Sequence, residues 1–341
     1  MNRKSFLKST ALAGTGILLF KGLLSKPSTP IYGHNGLTYR MDNKWSKLKP
    51  EVNPVKDCHE MVQDSQGRIV LLTNETRNNV IIFDKSGKML KTWGHDFPGA
   101  HGLTIQKNGK DDYLFITDTD RHEVYKTTLD GKILMTIPYP ADVPAYKKKE
   151  EFVPTETTVL ENGEFYVADG YGLQYVMHYD ANGKLLNFFG GRGPEDKNLD
   201  NAHGITVDTR NAQSSLLVTD RTRNAFKRFS FNGDLKEVIK LDGACVCRPV
   251  ISGDNLYAAV LRSPDLNTEK SGFVTILDRN NKVISNIGGN KPEYENGKLK
   301  TMLQAEKIFD HPHDVCVDND DNLYVAQWAS GQVYPYKFVR V

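Results

Sequence analysis

Three histidines stand at the same position of a recurring sequence pattern. His101 lies in AHGLTIQ, His203 in AHGITVD and His313 in HPHDVCVD, and each precedes a short apolar run, a turn and a second apolar run. Neutral imidazole is a common zinc ligand, and three such ligands leave one coordination position open for water or substrate. The three histidines therefore predict a catalytic metal site if the fold brings them together.

The elements that would bring them together belong to an internal repeat. Six copies follow one another, the first five with four short β-type runs and the sixth with three, and turn sequences such as Lys85-Ser86-Gly87 and Ala181-Asn182-Gly183 separate the runs. Three of the intervals between neighbouring copies are 42, 48 and 45 residues. These intervals suit four-stranded propeller blades, so we predict an all-β fold, a six-bladed β-propeller.

The sixth copy ends after three strands, and the strand-like segment LTYRMDNKWSKL before the first copy is left over. We predict that this N-terminal segment supplies the missing outer strand of the last blade and closes the ring, which removes exposed strand edges. The whole of residues 30–341 would then form a single propeller domain.

The innermost strand of each propeller blade begins near the central channel, so equivalent positions of the six copies converge on the axis. In this sequence these positions are His59, His101, Thr155, His203, Arg248 and His313. The fourth histidine of this set, His59, is open to three interpretations: a further metal ligand, a hydrogen-bond donor to a ligand, or a substrate contact.

The ordered motifs AHGLTI, YVADGY, AHGITV, LLVTDR and FDHPHDV span roughly residues 54–341. They give the chain a resemblance to NHL-type six-bladed propellers, and among these to the lyase domain of peptidyl-α-hydroxyglycine α-amidating enzymes. The resemblance implies a catalytic Zn²⁺ on His101, His203 and His313. It also implies a structural Ca²⁺ in the channel, held partly by the carboxylate of Asp314 and by the backbone carbonyl of Leu103.

The reaction implied by the resemblance is cleavage of a peptidyl-α-hydroxyglycine, a carbinolamide, into a peptide amide and glyoxylate. Zinc would lower the pKa of the substrate hydroxyl, and Tyr171 would take its proton as general base. Arg221 would pair with the substrate carboxylate through its planar guanidinium. On the pattern alone, Tyr171 could instead be a packing residue, and Arg221 could be paired with a neighbouring aspartate.

The family also has an arginine early in the first blade that contacts substrate, and its position has no clean counterpart here. The nearest candidates for a substrate contact are Lys56 and Arg77, and the axial residues His59 and Arg248 are further candidates. Aspartates that recur with the repeat, namely Asp118, Asp169 and Asp220, are better explained as residues that cap turns.

Two other functions are compatible with the same fold. A hydrolase of the gluconolactonase type is also a six-bladed propeller with a channel metal, but such sites use mainly carboxylate and asparagine ligands for calcium, whereas this axis is rich in histidine. A non-catalytic NHL module would present its blade loops to a partner and would need no metal.

The balance of 44 basic and 42 acidic residues gives a net charge of +2 and no electrostatic reason to expect nucleic acid or an acidic membrane surface as a partner. The four cysteines form no CxxC pair of the kind found in structural zinc sites. We expect a small-molecule or peptide-derived substrate and a monomeric protein.

Residues 1–29 resemble an export signal of the twin-arginine type. A basic start with Arg3-Lys4 precedes an apolar run from Ala11 to Phe20, which is too short to span a bilayer comfortably. We therefore expect a periplasmic or secreted protein without an integral membrane segment.

Overall fold

Short strands joined by tight turns make up nearly all regular structure in residues 30–108 and 111–341, which the computed structural model describes. The expected export signal, residues 1–29, lies outside these residues. Two 3₁₀ helices of three residues each are also present, at Lys149–Glu151 and Arg221–Arg223. Within the described chain, no helix has the length and hydrophobicity needed to cross a bilayer.

The described chain begins with a hairpin of two strands, β1 (Ile31–His34) and β2 (Leu37–Asp42). Four antiparallel sheets of four strands follow, each numbered from the axis outward, and we name them blades 1 to 4. Their strands are β3 (Cys58–Gln63), β4 (Ile69–Thr73), β5 (Val80–Phe83) and β6 (Met89–Trp93) in blade 1; β7 (Ala100–Gln106), β8 (Tyr113–Asp118), β9 (Glu123–Thr128) and β10 (Ile133–Ile137) in blade 2; β11 (Glu156–Val159), β12 (Phe165–Ala168), β13 (Tyr175–Tyr179) and β14 (Leu185–Gly190) in blade 3; and β15 (Ile205–Asp208), β16 (Ser215–Asp220), β17 (Ala225–Phe229) and β18 (Leu235–Lys240) in blade 4.

Blade 5 differs because its inner strand is split into two pieces that both pair with the next strand. The break falls at Cys247–Pro249, where proline lacks the N–H group that a continuous ladder would use. The strands are β19 (Cys245–Val246), β20 (Val250–Ser252), β21 (Asn255–Arg262), β22 (Phe273–Leu277) and β23 (Val283–Ile287), followed by a small hairpin of β24 (Tyr294–Glu295) and β25 (Lys298–Leu299).

Blade 6 takes its inner strands from the C-terminus and its outer strands from the N-terminus. Its strands are β26 (Pro312–Val317), β27 (Leu323–Gln327) and β28 (Tyr336–Arg340). Strand β2 pairs with β28, with Met41 opposite Phe338, so the predicted closure of the ring by an N-terminal strand is confirmed. Strand β1 adds a fifth strand outside β2, which the sequence pattern did not predict.

The hydrophobic core is divided among the gaps between neighbouring blades. Six of the seven apolar clusters among the described residues each join two neighbouring blades, from blades 1 and 2 round to blades 6 and 1. The rings of Phe115 in blade 2 and Phe165 in blade 3, for example, are 5.1 Å apart. The middle strands of a blade, such as β4 and β5, therefore read as nearly continuous apolar runs, whereas the outermost strand β6 is partly exposed.

Trp45 lies in the gap where the first and last blades meet. Its ring is 2% exposed, lies 4.9 Å from both Phe83 and Tyr324, and donates a hydrogen bond from Nε1 to the carbonyl of Lys85 at 3.0 Å. Because Trp45 belongs to the N-terminal segment and contacts both blades, it fixes the closure of the ring by packing as well as by the β2–β28 ladder.

Replacing Trp45 with Ala should lower the free energy of unfolding by about 3–5 kcal/mol, because a large buried ring and its hydrogen bond are lost at the closure point. Chemical denaturation followed by circular dichroism would measure the change. Val52→Ala, at a position that is 68% exposed, is the control and should change stability by less than about 0.5 kcal/mol. Equal stability of W45A and the wild type would show that closure does not depend on this contact.

Candidate metal centre

Four buried imidazoles from four blades meet at one end of the channel. The ring of His101 lies 4.9 Å from that of His59, 4.8 Å from that of His203 and 4.9 Å from that of His313. His313 likewise lies 4.9 Å from His59 and 4.8 Å from His203. The three histidines predicted from the sequence are thus together, and His59 stands beside two of them.

The nitrogen atoms bring a different trio closest together. One ring nitrogen each of His59, His101 and His313 lies within 4.8 Å of the others, as ligands of one metal ion would. His101 and His313 therefore belong both to this trio and to the set predicted from the sequence, and the third ligand is either His59 or His203.

The hydrogen bonds of the rings fix which nitrogen faces the channel. Nδ1 of His101 lies 2.9 Å from the carbonyl oxygen of Thr155, and Nδ1 of His313 lies 3.0 Å from that of His59. Since a carbonyl can only accept, each Nδ1 carries the proton and each Nε2 presents its lone pair, which in His101 lies 3.1 Å from the hydroxyl of Tyr171. Both ring nitrogens of His203, and Nδ1 of His59, have no partner among the described residues.

The electrostatics of this cluster favour neutral imidazoles. Burial lowers the pKa of His59 to about 3. Burial also lowers the pKa of His101, His203 and His313 well below the ordinary value, and the neighbouring histidines or Arg221 lower it further. Buried neutral imidazoles with unpartnered nitrogens are the donor set that a divalent transition metal such as zinc requires, so the residues fit this ion.

The glycines after His101 and His203 are explained by close contact between blades. A Cβ atom on Gly102 would lie 2.4 Å from the carbonyl oxygen of Thr155, and one on Gly204 would lie 2.5 Å from Cα of Arg248. Any larger side chain would push the neighbouring inner strand away. The His-Gly pairs therefore keep the inner strands close enough for their imidazoles to meet.

Tyr171 lies at the rim of this cluster, in the turn between β12 and β13. Its hydroxyl is 3.1 Å from Nε2 of His101, and its ring is 5.5 Å from that of His203. The side chain is 42% exposed, so it borders both the solvent and the histidines. Burial of the hydroxyl raises the pKa of Tyr171 above its ordinary value, and the positive charge of Arg221 acts in the opposite direction.

Arg221 is a buried cation beside Tyr171, and it forms no salt bridge with the described carboxylates. It begins the second 3₁₀ helix and is 2% exposed. Its Nε donates to the carbonyl of Val246 at 3.1 Å, and its Nη2 donates to Sγ of Cys247 at 3.0 Å. A guanidinium held by neutral acceptors keeps its full positive charge available for an anion. The alternative of pairing with a neighbouring aspartate does not occur.

A layer of charged groups lies one step further along the channel. Glu60, Glu156 and Asp314 follow the axial positions of blades 1, 3 and 6, and all three are fully buried. Arg248 of blade 5 reaches across to them: Nη2 donates to Asp314 at 2.8 Å, and its nitrogens lie 3.3 Å from Glu60 and 3.6 Å from Glu156. Burial alone would lower the pKa of Arg248, but the three carboxylates raise it well above its ordinary value.

The residues that the resemblance assigns to calcium are bonded to this guanidinium. Nη1 of Arg248 donates to the carbonyl of Leu103 at 2.8 Å, and Nε donates to Asp314 at 3.1 Å. Arg248 is therefore in the charged layer and does not contact substrate from the histidine layer. The atoms expected to hold a calcium ion already surround a cation, so this position does not fit a further one.

The channel widens again beyond Arg248. A cavity of about 470 Å³ is lined there by later residues of the inner strands of all six blades, including Met61, Thr104, Ile205 and Val317. This cavity lies on the side of Arg248 away from the histidines. The candidate metal centre is thus approached from the face that carries Tyr171, and the cavity of about 470 Å³ is a separate space.

The remaining candidates for a substrate contact, Lys56 and Arg77, are both exposed. Arg77 is exposed and forms a salt bridge with Glu75 at 2.8 Å, so the structure does not bring it to the histidines. Lys56 is exposed, and its positive charge contributes to the low pKa of His59. Lys56 is therefore the nearer of the two to the cluster.

Two of the three recurring aspartates, Asp118 and Asp169, cap turns as the sequence pattern predicted, whereas the side chain of Asp220 forms no cap and pairs with Lys227 at 2.7 Å. Asp118 accepts hydrogen bonds from the backbone N–H groups of Gly99, Asp120 and Arg121. Asp169 accepts from backbone N–H groups in the same way and also from the hydroxyl of Tyr146, and burial raises the pKa of Asp169 to about 6.

Two buried glutamates in the channel were not predicted. Strand alternation would turn Glu60 away from the axis if His59 faced it. However, the strand register shifts between Cys58 and Glu60, and it shifts again between Pro312 and Asp314. Such bulges let two successive residues face the same side. A sequence signal was present, since an acid follows the axial position in blades 1, 3 and 6. The other missed residue, Cys247, lies beside Arg221 without any motif.

No family model matches the chain. The chain is 27% identical over 277 residues to peptidyl-alpha-hydroxyglycine alpha-amidating lyase 1 of Drosophila melanogaster, which covers 74% of this chain and 47% of the relative. It is 34% identical over 133 residues to peptidyl-alpha-hydroxyglycine alpha-amidating lyase 2 of the same organism, which covers 38% of this chain and 32% of the relative. The chain thus spans less than half the length of these curated relatives.

Among solved structures, a gluconolactonase from Xanthomonas campestris aligns with a TM-score of 0.58 at 12% identity, over 92% of this chain and 98% of that chain. This likeness concerns the fold alone. The sequence likeness is more specific, because it joins the chain to proteins named for one activity. The chain is a six-bladed β-propeller that resembles the peptidyl-α-hydroxyglycine α-amidating lyases.

Proposed function

We propose that this protein is a zinc-dependent lyase that cleaves a carbinolamide of the peptidyl-α-hydroxyglycine type into an amide and glyoxylate. The observation that carries the proposal is the position of the Tyr171 hydroxyl, 3.1 Å from His101 and beside the unpaired guanidinium of Arg221. A metal-binding cluster, a group that can take a proton and a carboxylate-binding group thus stand at one mouth of the channel.

His101 and His313 would hold the zinc ion, together with His203. We favour His203 over His59 because it is fully buried, both its ring nitrogens lack partners, and its ring lies 5.5 Å from that of Tyr171. Three imidazoles leave one coordination position open, whereas four would close the site. Bound zinc would supply Lewis-acid chemistry, which lowers the pKa of a hydroxyl group beside it.

Arg221 would bind the substrate, and Tyr171 would accept its proton. Arg221 would bind the substrate carboxylate with two parallel hydrogen bonds and so direct the α-hydroxyl toward Tyr171. Tyr171 would take the hydroxyl proton as its phenolate. Burial raises the pKa of Tyr171, so this role would require the positive charges of Arg221 and of bound zinc to lower it again. The carbon–nitrogen bond then breaks, and the substrate oxygen becomes the aldehyde oxygen of glyoxylate. The electron pair of the broken bond stays on the amide nitrogen, which takes up one proton.

Localisation and assembly are part of the same proposal. The sequence of residues 1–29 supports export to the periplasm or the medium, and the channel site is complete within one chain, which supports a monomer. A substrate with a free carboxylate would enter at the rim where Tyr171 is exposed.

The purified mature protein should release glyoxylate from α-hydroxyhippurate. Removal of metal by a chelator should abolish the release, and one equivalent of zinc per chain should restore it, because proton removal from an unactivated hydroxyl is slow. Colorimetric detection of glyoxylate and elemental analysis would measure both. Inactive protein that retains zinc would redirect the search to other carbinol or ester substrates, including those of lactone hydrolases. Inactive protein without affinity for zinc would favour the binding module.

Replacing His203 with Ala should weaken zinc binding by more than about 100-fold and abolish turnover, because a direct ligand is lost. The matched variant His59→Ala should retain the metal. Zinc content after dialysis and circular dichroism would separate loss of metal from loss of fold, since the propeller rests on packing between blades. Loss of zinc from H59A with retention in H203A would exchange the two roles and assign the site to His59, His101 and His313.

Replacing Tyr171 with Phe should lower kcat by about 10²–10⁴-fold, the usual contribution of a positioned general base. Zinc content and Tm should stay at wild-type values, because the hydroxyl is not one of the proposed metal ligands and the aromatic ring is kept. Initial rates of glyoxylate release at saturating substrate would give kcat. Turnover of Y171F at the wild-type rate would remove Tyr171 from the mechanism.

A further inference from the structure

The charged layer of the channel has the oxygen donors of a calcium site, but these donors surround a guanidinium. Nη1 of Arg248 donates to the carbonyl of Leu103 at 2.8 Å, and Nη2 donates to that of Met61 at 3.1 Å. Nε and Nη2 form a bidentate pair with Asp314 at 3.1 Å and 2.8 Å. Inner strands of blades 1, 2 and 6 are thereby tied to blade 5 through one side chain.

An ion and this guanidinium cannot share the same oxygens. Calcium takes six to eight oxygen ligands at about 2.3–2.6 Å, which requires them to converge on one point. Within residues 30–108 and 111–341, a convergence of three metal-ligating side chains occurs only at the histidines, and not among Glu60, Glu156 and Asp314. The carbonyl oxygens and Asp314 point instead at three separate nitrogens of Arg248.

Charge supports the same interpretation. Arg248 is 8% exposed and is surrounded by three buried carboxylates, so without its charge their mutual repulsion would be uncompensated. Oε1 of Glu60 and Oε2 of Glu156 have no hydrogen-bond partner. A cation bound in addition to Arg248 would be attracted to these two oxygens, and elemental analysis would detect it.

We propose that the guanidinium of Arg248 replaces the structural calcium ion, so that the inner strands are held together by a cation that belongs to the chain itself. The inference does not depend on the reaction, because it concerns how the channel is built. The resemblance to the amidating lyases implies a structural calcium ion, and under this proposal the chain differs from them by having none.

Wild-type protein stripped of metal and reloaded with one equivalent of zinc should contain no calcium by elemental analysis. At constant zinc, 1 mM calcium chloride should leave its Tm unchanged. About one calcium per chain after reloading in a calcium-containing buffer, or a Tm that rises by about 5 °C with calcium, would overturn the proposal. Both readouts are independent of activity, so a failed lyase assay does not affect them.

Replacing Arg248 with Ala should leave the oxygen atoms that surround its guanidinium free to bind calcium. The Tm of this variant should fall in calcium-free buffer and rise by about 5 °C or more with 1 mM calcium but not with magnesium, because Mg²⁺ needs a tighter octahedral site. Arg228→Ala is the matched control. Arg228 is also 8% exposed and pairs with Asp208 at 2.8 Å, but it lies in blade 4 away from the axis, so calcium should not rescue it. If R248A gains no more from calcium than R228A, the guanidinium does not stand at a cation site and the proposal fails.

Discussion

The structure depends on one buried guanidinium, that of Arg248, which provides the hydrogen-bond and charge partner for polar groups at the centre of the ring. Inner strands of six blades converge on a narrow axis, and polar groups there are removed from water at a large cost unless each finds a partner. Arg248 donates to backbone carbonyls of blades 1 and 2 and to Asp314 of blade 6. A buried charge that binds several elements in this way sets how the blades are rotated about the axis, because only one arrangement places every acceptor within reach.

The histidine layer follows from the charged layer, since the same strands supply both. His313 precedes Asp314, and His59 precedes Glu60, and register shifts at these positions turn both members of each pair toward the channel. Fixing the carboxylates around Arg248 therefore also fixes the imidazoles one step above them. The imidazoles are neutral because they are buried, and the positive charge of Arg221 lowers the pKa of His203 further. The result is a preorganised set of neutral nitrogen donors over an ionic base.

Much of this was readable in the sequence, and the part that was not has a physical reason. The spacing of the repeats predicted six blades. The left-over N-terminal segment predicted the closure, because a ring with an unpaired strand edge would be unstable. The axial positions placed the histidines correctly. The role of Arg248 could not be read in the same way, because a long side chain at an axial position reaches the next layer whereas an imidazole does not. Glu60 was hidden by a bulge, which breaks the alternation that strand patterns assume.

The shared fold with a gluconolactonase explains why function must be argued from these layers and not from the propeller. A TM-score of 0.58 at 12% identity shows a shared fold, and a fold hosts many unrelated functions. In this chain the carboxylates are engaged by a guanidinium and the neighbouring layer offers imidazole nitrogens, of which both in His203 lack a partner, and such a donor set favours a transition metal over calcium. Arg248 also separates the histidines from the cavity of about 470 Å³ beyond it. If the proposed function is correct, a substrate would approach the histidines from the rim that carries Tyr171 and Arg221, where a proton acceptor and a carboxylate-binding group would lie beside the same coordination position.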